Sequence, residues 1–330
     1  MSPELSAIAV GDTAECLRPL LRSLDRQTAK GRLELVVVAP ADAHDEIERH
    51  APSGLAGLRL VDCSRIEALP PARVQGILAA SAPVVTLTET HCFPAPDWAA
   101  ALIERHREDC AAVGPTFDNA NPATARSWAN LVIDYGPFLA GPQRREPEAS
   151  EDLPGHNSSY KRDVLLAAYG DELADPLEFE SVLHADLRRR GYRLVLEPRA
   201  RVAHVNVTSI GSWAPERWCA GRLYGGTRSR EWPVPRRAAY ALAWPLIVAV
   251  RLPRVLRHAR SIGRPGLTGR VTAPVFAGLV LQSLGEAAGY LAGPGSASHD
   301  IIDIELHRFD HLTRRDVPTF GPPEKASTTA

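Results

Sequence analysis

The strongest constraint on the fold is the alternation of short apolar runs with amphipathic segments between residues 6 and 204. The run LELVVV (33–38) is apolar nearly throughout, as expected of a strand that is buried on both faces of a parallel sheet. The segment 15–27 carries leucines at helical spacing and predicts an amphipathic helix between two strands. Repetition of this pattern predicts βαβ units, and therefore an α/β domain with a mixed, mainly parallel sheet and flanking helices.

The other elements follow from the same periodicities. The predicted strands are 6–10, 33–38, 58–61, 84–87, 111–114, 192–196 and 200–204, and the predicted helices are 15–27, 73–80, 98–106, 162–168 and 177–190. The pattern weakens from residue 119 to 154, and the Gly-, Pro- and Glu-rich stretch 141–154 predicts a mobile loop.

Charge and cysteine content exclude several classes of protein. The net charge of −1 argues against a general nucleic-acid-binding protein. The five cysteines are an odd number without a CxxC pair, which indicates buried, inert thiols in a reducing compartment. The N-terminus has no basic region followed by a long apolar stretch, so we expect no secretory signal peptide.

The C-terminal third has a different character. No acidic residue lies between Glu231 and Glu286, whereas eight arginines lie in that interval. The apolar stretch 238–250 is shorter than the ~20 residues that span a bilayer, and 271–293 carries Glu286 in its interior. Helices that lie in the membrane interface, with arginines facing anionic head groups, fit this pattern. The alternatives are a soluble helical appendage that packs on the α/β domain, and a true membrane span.

These patterns divide the chain into three regions. We predict an α/β domain over 1–212, a helical, arginine-rich, membrane-proximal region over 213–314, and a disordered tail over 315–330.

Candidate metal ligands follow the strands, where open parallel α/β sheets bind their ligands. Glu89 and His91 come directly after the apolar strand 84–87, and His204 ends the strand 200–204. A carboxylate and two imidazoles at one sheet edge can hold a divalent cation, and that cation can neutralise a diphosphate leaving group. The alternatives are that His91 caps the helix that begins near Asp97, and that His204 is structural.

Glu180 is the candidate general base. It stands near the start of the predicted helix 177–190, at the edge of the buried face, where a carboxylate can take a proton from an acceptor hydroxyl. Glu178, His184 and Asp186 are competitors for this role. Alternatively, Glu180 only complements the helix macrodipole.

Taken in order, these segments resemble the family 2 glycosyltransferases, which are inverting enzymes of the GT-A fold. SAIAVGD…CLRPLLRSLDRQT resembles the opening strand and helix of that family, and PARVQG resembles the helix before its metal motif. VVTLTETHCFPAPDWAAAL is similar to the strand, DxD motif and helix that follow. GHNSSYKRDVL is similar to the segment on the acceptor side. The block EFESVLHADLRRRGYRLVLEPRARVAH, which resembles the family's "ED" block, is the most specific of these signals.

The resemblance implies roles for individual residues. Glu89 and His91 stand at the DxD position, and a later histidine acts as third metal ligand in the similar polypeptide N-acetylgalactosaminyltransferases, which implies a divalent cation (Mn or Mg) on Glu89, His91 and His204. Glu180 stands at the catalytic-base position of the ED pair. The implied donor side consists of Asp12, Asp62, Arg73 and Glu89, and the implied acceptor side of His156 and Asn157.

The sequence also departs from the family pattern. The opening strand ends in Gly11-Asp12-Thr13 and not in P-x-[YF]-N, and Ala39-Pro40 occupy the place of the aspartates that usually follow the second strand. The metal motif is E-T-H, and Phe179 stands at the first position of the ED pair.

The resulting hypothesis is a membrane-associated glycosyltransferase at the cytoplasmic face of the cell membrane. It would transfer a sugar (a hexosyltransferase-like reaction) from a nucleotide-sugar donor to a lipid-linked or polysaccharide acceptor. The membrane surface is an expected partner, nucleic acid is not, and the sequence is compatible with a homo-oligomer. The alternative is a catalytically degenerate GT-A scaffold in a membrane-bound glycan-biosynthesis complex. A nucleotidyltransferase is more distant, since no Gly-rich, Lys-bearing phosphate loop follows Gly11.

Overall fold

A computed structural model describes residues 2–141, 144 and 146–316 of the chain. Within these residues the strands are β1 Leu5–Val10, β2 Leu33–Ala39, β3 Gly57–Asp62, β4 Val84–Thr88, β5 Cys92–Pro94, β6 Ala112–Asn119, β7 Glu148–Ala149, β8 Ser159–Lys161 and β9 Leu194–His204. The first eight helices are α1 Ala14–Asp25, α2 His44–His50, α3 Leu69–Ala79, α4 Trp98–Arg105, α5 Ala125–Tyr135, α6 Arg162–Tyr169, α7 Ala174–Leu177 and α8 Glu180–Arg189. The C-terminal helices are α9 Ile210–Arg228, α10 Val234–Leu242, α11 Trp244–Ser261, α12 Leu267–Ala292, α13 Ala297–Asp300 and α14 Ile302–Leu306.

The strands form one mixed sheet in the order β3-β2-β1-β4-β8-β6-β9-β5, and β7 pairs with β9. The pairs β3-β2, β2-β1, β1-β4 and β6-β9 are parallel, whereas β8 runs antiparallel to both β4 and β6. Every residue of β1, β2 and β4 is buried, as their apolar sequences predict. The predicted α/β class with a mainly parallel, mixed sheet is confirmed.

Helices cover both faces of this sheet. One core contains leucines of α1 and α4 and the apolar side of α5, and α11 and α12 pack outside α5. The other core contains Ile77 of α3, Leu165 of α6, and Leu183 and Leu187 of α8. Because both faces are covered, only the edges of the sheet are open to ligands.

Two predicted boundaries are wrong. The helix predicted over 177–190 is interrupted, because Phe179 adopts an extended conformation between α7 and α8 and packs on the ring of Tyr224. The strands predicted over 192–196 and 200–204 are one continuous strand, β9, whose register to β6 shifts between Gly114 and Thr116. A β-bulge of this kind inserts an extra residue into one strand, so that the strand continues although its pairing register changes.

Two helices were not predicted. α2 is short, and α5 lies in the region where the sequence pattern weakens, although Thr124 caps its N-terminus by accepting a hydrogen bond from the backbone of Ser127. Of the loop predicted over 141–154, residues 142, 143 and 145 lie outside the described part, and Glu148–Ala149 pair with β9. The tail predicted to be disordered lies outside the described part from residue 317 onwards.

Helices α9 and α12 pack with their backbones in contact. Gly221 and Gly225 of α9, and Gly285 and Gly289 of α12, share a spacing of four. A Cβ atom on Gly221 would lie 1.9 Å from the Gln282 carbonyl oxygen, and one on Gly285 would lie 2.1 Å from the Trp218 carbonyl oxygen. Pairs of small residues at this spacing allow two helices to approach closely, an arrangement that is frequent in membranes.

The C-terminal helices also carry exposed apolar side chains. Val234 and Leu242 of α10, Leu246 of α11, and Phe276 and Leu291 of α12 are all more than half exposed. By length and composition, α12 could cross a membrane, although 44% of its most apolar 18-residue segment is buried inside the structure. Together, α10 and α11 are also long and apolar enough for one span, although the two helices are bent by 58°. This is the predicted arginine-rich helical region, and its contact with a membrane stays a prediction.

After α13, the chain returns to the edge of the sheet where the parallel strands end. Leu306 packs with Val10, Val38 and Ala72, and its carbonyl oxygen accepts a hydrogen bond from the Thr90 hydroxyl. The last described residues therefore cover part of the edge at which ligands bind in such sheets.

Candidate active site

The predicted metal ligands converge at the carboxyl edge of the sheet. Glu89 follows β4, His91 precedes β5, and His204 ends β9, which pairs with β5 so that Cys92 lies opposite His204. One ligand atom from each of Glu89, His91, Cys92 and His204 lies within 4.8 Å of the others. All four side chains are buried, and the two imidazole rings meet edge to face with centroids 5.0 Å apart.

This cluster fits a bound cation. Neither ring nitrogen of the completely buried His91 makes a hydrogen bond to the described residues, and Nε2 lies 3.5 Å from Oε1 of Glu89. Buried polar atoms without a partner are rare, and a metal ion is one explanation for them. The ring of His204 is oriented by Asn206, whose side-chain oxygen lies 3.0 Å from Nδ1, so Nε2 faces Glu89 at 4.0 Å. Such an outer partner is typical of ligating histidines.

Cys92 was expected to be an inert thiol, and the structure places it inside the cluster. Its Sγ atom lies 3.1 Å from Oε2 of Glu89 and 3.2 Å from Nδ2 of Asn157. Burial and the neighbouring carboxylate raise the pKa of the Cys92 thiol. The sequence analysis missed Cys92; its position directly after His91 is the signal that could have indicated it.

The alternative role for His91 does not hold in the structure. Because its ring nitrogens make no hydrogen bond to the described residues, His91 does not cap α4, whose N-terminal neighbour is Asp97. Asp97 does precede α4, but its side chain makes no capping hydrogen bond and accepts one from the Thr28 hydroxyl instead.

The loop before β8 holds Glu89 in place. Asn157 donates a hydrogen bond from Nδ2 to Oε2 of Glu89 at 2.9 Å, and it has a φ of 63°. A left-handed conformation in a residue other than glycine is uncommon and concentrates at functional sites. Asn157, predicted to lie on the acceptor side, therefore supports the metal cluster directly.

Glu180 is joined to this cluster through Arg73 and His156. Arg73 donates a hydrogen bond from Nη1 to Oε1 of Glu180 at 2.7 Å and a second one from Nη2 to Nδ1 of His156 at 2.7 Å. The same His156 nitrogen lies 3.4 Å from Glu180 and 3.6 Å from Glu89. The backbone approaches closely at Gly155, where a Cβ atom would lie 2.6 Å from Oε2 of Glu180.

Both carboxylates are ionised in this environment. Burial alone raises the pKa of Glu180, but His156 and Arg73 outweigh it and lower the pKa below its usual value. Burial likewise raises the pKa of Glu89, but the neighbouring imidazoles of His156, His91 and His204 together outweigh it, so that this pKa lies well below its usual value. A buried carboxylate that stays ionised can bind a cation or accept a proton.

The competitors of Glu180 differ in their contacts. Asp186 accepts hydrogen bonds from Tyr169 and Arg190 at the surface, and His184 is held between Tyr160 and Asp152. Glu178 is half-buried and lines the same cavity as Glu180. Asp186 is thus excluded from the site by its position, and Glu178 stays a competitor.

The predicted donor residues Asp12 and Asp62 lie apart from this cluster. Oδ2 of Asp12 is 2.9 Å from Nε2 of His307, which follows α14, and Asp62 is exposed at the end of β3. Neither lines the cavity that contains Glu89 and Glu180.

That cavity has a volume of about 280 Å³ and receives residues that the sequence pattern did not reveal. Arg217 donates hydrogen bonds from Nη1 and Nη2 to the two carboxylate oxygens of Asp134, at 2.6 and 2.8 Å. Arg308 donates to the carboxylates of Glu216 and Glu305. These residues come from α5, α9 and the C-terminal segment, far apart in the sequence. Their ion pairs form part of the cavity wall.

The mixed sheet, with an acid–histidine cluster at the carboxyl edge of its parallel strands, agrees with the GT-A fold that the sequence motifs predict. Residues 8–167 match the model of the glycosyl transferase family 2. The chain therefore carries a family 2 glycosyltransferase domain, as its motifs predict. None of the curated proteins matches the sequence significantly.

Solved structures share this architecture. The mannosyltransferase PcManGT from Pyrobaculum calidifontis, in complex with GDP-Man and Mn2+, superposes with a TM-score of 0.53 at 18% identity over 92% of this chain and 87% of its own. GalNAc-T7 with UDP, GalNAc and Mn2+ gives a TM-score of 0.44 at 17% identity, over 62% of this chain and only 44% of that longer chain. The similarity to PcManGT shows a shared fold over nearly the whole length, including the C-terminal helical region.

Proposed function

We propose that the chain transfers a sugar, with inversion, from a nucleotide-sugar donor to a lipid-linked or polysaccharide acceptor at the cytoplasmic face of a membrane. One observation carries this proposal. A buried cluster that fits a divalent cation lies in the same cavity as a second ionised carboxylate, Glu180, and His156 stands between Glu180 and Glu89.

Glu89, His91 and His204 would hold the cation, with Cys92 adjacent to it. A divalent cation at this site supplies charge neutralisation for the diphosphate of the donor. The complex of PcManGT with GDP-Man and Mn2+ supports a nucleotide sugar and a metal of this kind.

Glu180 would act as the general base. Arg73 keeps its carboxylate ionised and fixes one oxygen, while Oε2 faces Gly155. The carboxylate accepts the proton of an acceptor hydroxyl, whose oxygen forms a bond to the anomeric carbon as the bond from that carbon to the diphosphate breaks. A single in-line displacement of this type inverts the configuration at the anomeric carbon.

Membrane contact is supported by the exposed apolar side chains of α10, α11 and α12, together with the arginines between them. A helix with apolar residues on one face and arginines on another binds the interface of anionic membranes. Sedimentation of the purified chain with anionic vesicles, but not with zwitterionic ones, is the expected result. A chain that stays in solution with both vesicles contradicts the membrane location.

The metal site is tested by thermal unfolding with UDP-, GDP-, dTDP- and CDP-sugars, each with and without Mn2+. A ligand that binds only the native state stabilises it by RT ln(1 + [L]/Kd), about 2.7 kcal/mol at 100 times Kd. We expect stabilisation by one class of nucleotide, dependent on metal and lost in His91→Ala. No stabilisation by any donor, combined with binding to a partner glycosyltransferase, would favour the degenerate scaffold.

The base is tested by Glu180→Gln, with Glu178→Gln as the matched control in the same cavity. We expect Glu180→Gln to lower the rate of transfer by about 10²–10⁴-fold, the usual contribution of a general base, while donor affinity changes little. Glu178→Gln should retain transfer. The reverse pattern would assign the base to Glu178, and parallel loss of donor binding and transfer in Glu180→Gln would refute its role as a base.

A further inference from the structure

We call the cavity that contains Glu89 and Glu180 the reaction cavity. A second cavity, of about 750 Å³, lies next to it and is lined by arginines. Five of them face it: Arg188, Arg189, Arg228, Arg251 and Arg254. The carboxylates in its lining are Glu151 and Asp152, and Asp152 is already bound to Nδ1 of His184 at 2.7 Å. Two of the arginines are ion-paired with carboxylates outside the lining, Arg189 with Asp186 at 2.6 Å and Arg251 with Glu286 at 2.7 Å, so a modest excess of positive charge remains at the cavity.

We infer that this cavity binds a phosphate or diphosphate group of the acceptor, and that the acceptor is a lipid-linked phosphosugar. The inference rests on the proposed function, because it assumes that the acceptor hydroxyl reaches Glu180. Guanidinium groups are well suited to phosphate, since their planar N–H donors match its oxygens in pairs.

The two cavities are contiguous around Glu180. Ile133, Asp152, Phe179, Ser181 and Gln282 line both of them, and Phe179 and Ser181 are the neighbours of Glu180 in the chain. In this proposal, a sugar attached to a phosphate among the arginines would extend from the second cavity toward the proposed base.

The arginines differ in how far they are already engaged. Arg251 donates to Glu286 at 2.7 Å, and Arg228 lies over the rings of Trp232 and Tyr240. Arg254 is exposed, and among the described residues it makes no hydrogen bond or ion pair. Arg254 is thus the donor that a ligand can recruit without breaking an existing contact.

The surroundings of Arg254 indicate a lipid. Leu246, Val250 and Arg254 stand at successive i, i+4 positions on α11, so they share one side of the helix. Leu246 is 65% and Val250 is 42% exposed. An apolar stripe that leads to an arginine in a positive cavity matches an amphiphile with an apolar chain and a phosphate head.

The test measures binding to the full chain in mild detergent, without a donor, so that it does not depend on sugar transfer. The probes are dioctanoyl phosphatidic acid, dioctanoyl phosphatidylcholine with the same chains, and inorganic diphosphate as a free phosphate. The variant is Arg254→Gln. The matched control is Arg260→Gln, which is exposed on the same helix but does not line the cavity.

We expect phosphatidic acid to bind more tightly than both other probes. Arg254→Gln should weaken its binding about tenfold, whereas Arg260→Gln should change it less than twofold, with unchanged melting temperatures in both variants. Equal weakening by the two substitutions, or equal binding of phosphatidic acid and phosphatidylcholine, would overturn the site. Diphosphate binding as tightly as phosphatidic acid would overturn the assignment to a lipid. Donor hydrolysis by the unchanged chain is measured in parallel, so that failure of the proposed function is seen separately.

Discussion

The contact between α9 and α12 gives a quantitative prediction for Gly285→Ala. The new Cβ atom would lie 2.1 Å from the carbonyl oxygen of Trp218, and because that atom belongs to a helix backbone it cannot rotate away. The control is Gly269→Ala in the first turn of the same helix, where a Cβ atom meets nothing within 4 Å.

The two substitutions share the gain in helix propensity, which is about 1 kcal/mol in a helix interior and smaller near a helix end. Only Gly285→Ala also pays for overpacking, which costs about 1–3 kcal/mol. We therefore expect Gly269→Ala to be slightly stabilising. In Gly285→Ala the overpacking cost should approach its upper value because the obstacle is backbone, and after the larger propensity gain is subtracted this variant should be less stable than Gly269→Ala by about 2 kcal/mol.

The assay is urea unfolding of the full chain in mild detergent, followed by far-ultraviolet circular dichroism. Gly221→Ala supplies a further check, because its Cβ atom would lie 1.9 Å from the Gln282 carbonyl oxygen in the same contact. Once one substitution has separated the helices, the second should cost less than it does alone. Gly285→Ala as stable as Gly269→Ala, or strict additivity with Gly221→Ala, would refute the close approach of the two helices.

Three further substitutions test other parts of the structure. Burial lowers the pKa of His106 to about 3, so on acidification the unfolded chain binds this proton before the folded chain does. The neutral ring therefore contributes to the free energy of unfolding above pH 6.5, and this contribution is lost as the pH falls toward 3. From pH 7 to pH 5, the free energy of unfolding should fall by about 2 kcal/mol less in His106→Gln than in the parent chain. An equal fall in both proteins would contradict a buried, neutral ring. Leu306→Ala should lower the free energy of unfolding by about 2–5 kcal/mol if the C-terminal segment is part of the core, whereas Leu291→Ala, at an exposed position, should cost much less. Gly155→Ala should lower the transfer rate while donor-dependent thermal stabilisation persists, because its Cβ atom would displace the carboxylate of Glu180; an unchanged rate would argue against this carboxylate as base.

The α/β domain was largely predictable because its strands carry the information locally. β1, β2 and β4 are mainly apolar runs, and the ends of such parallel strands meet at one edge, which is why the sequence pattern predicts that Glu89, His91 and His204 lie together. Glu180 followed from the periodicity of α8, although the break at Phe179 did not, because it depends on packing against Tyr224.

The C-terminal segment was not predictable in the same way. Its contacts join residues more than 200 positions apart, such as Thr90 with Leu306 and Asp12 with His307. A single leucine in a short helix has no periodicity that could reveal its burial against β1 and β2. The ion pairs of Arg308 likewise depend on tertiary structure alone.

The charges of the two cavities fit different steps of the proposed reaction. The reaction cavity is lined by seven carboxylates and three arginines, namely Glu89, Asp134, Asp152, Glu178, Glu180, Glu216 and Glu305 with Arg73, Arg217 and Arg308. A nucleotide diphosphate is repelled by such a surface unless a cation accompanies it, which agrees with the cluster around His91. The lining of the neighbouring cavity has five arginines and two carboxylates, and two of those arginines are ion-paired, so the proposed phosphate would be held by the remaining arginines without a metal. In the proposed reaction, the donor side of Glu180 would therefore depend on a cation, whereas the acceptor side would rely on the arginines of the chain itself.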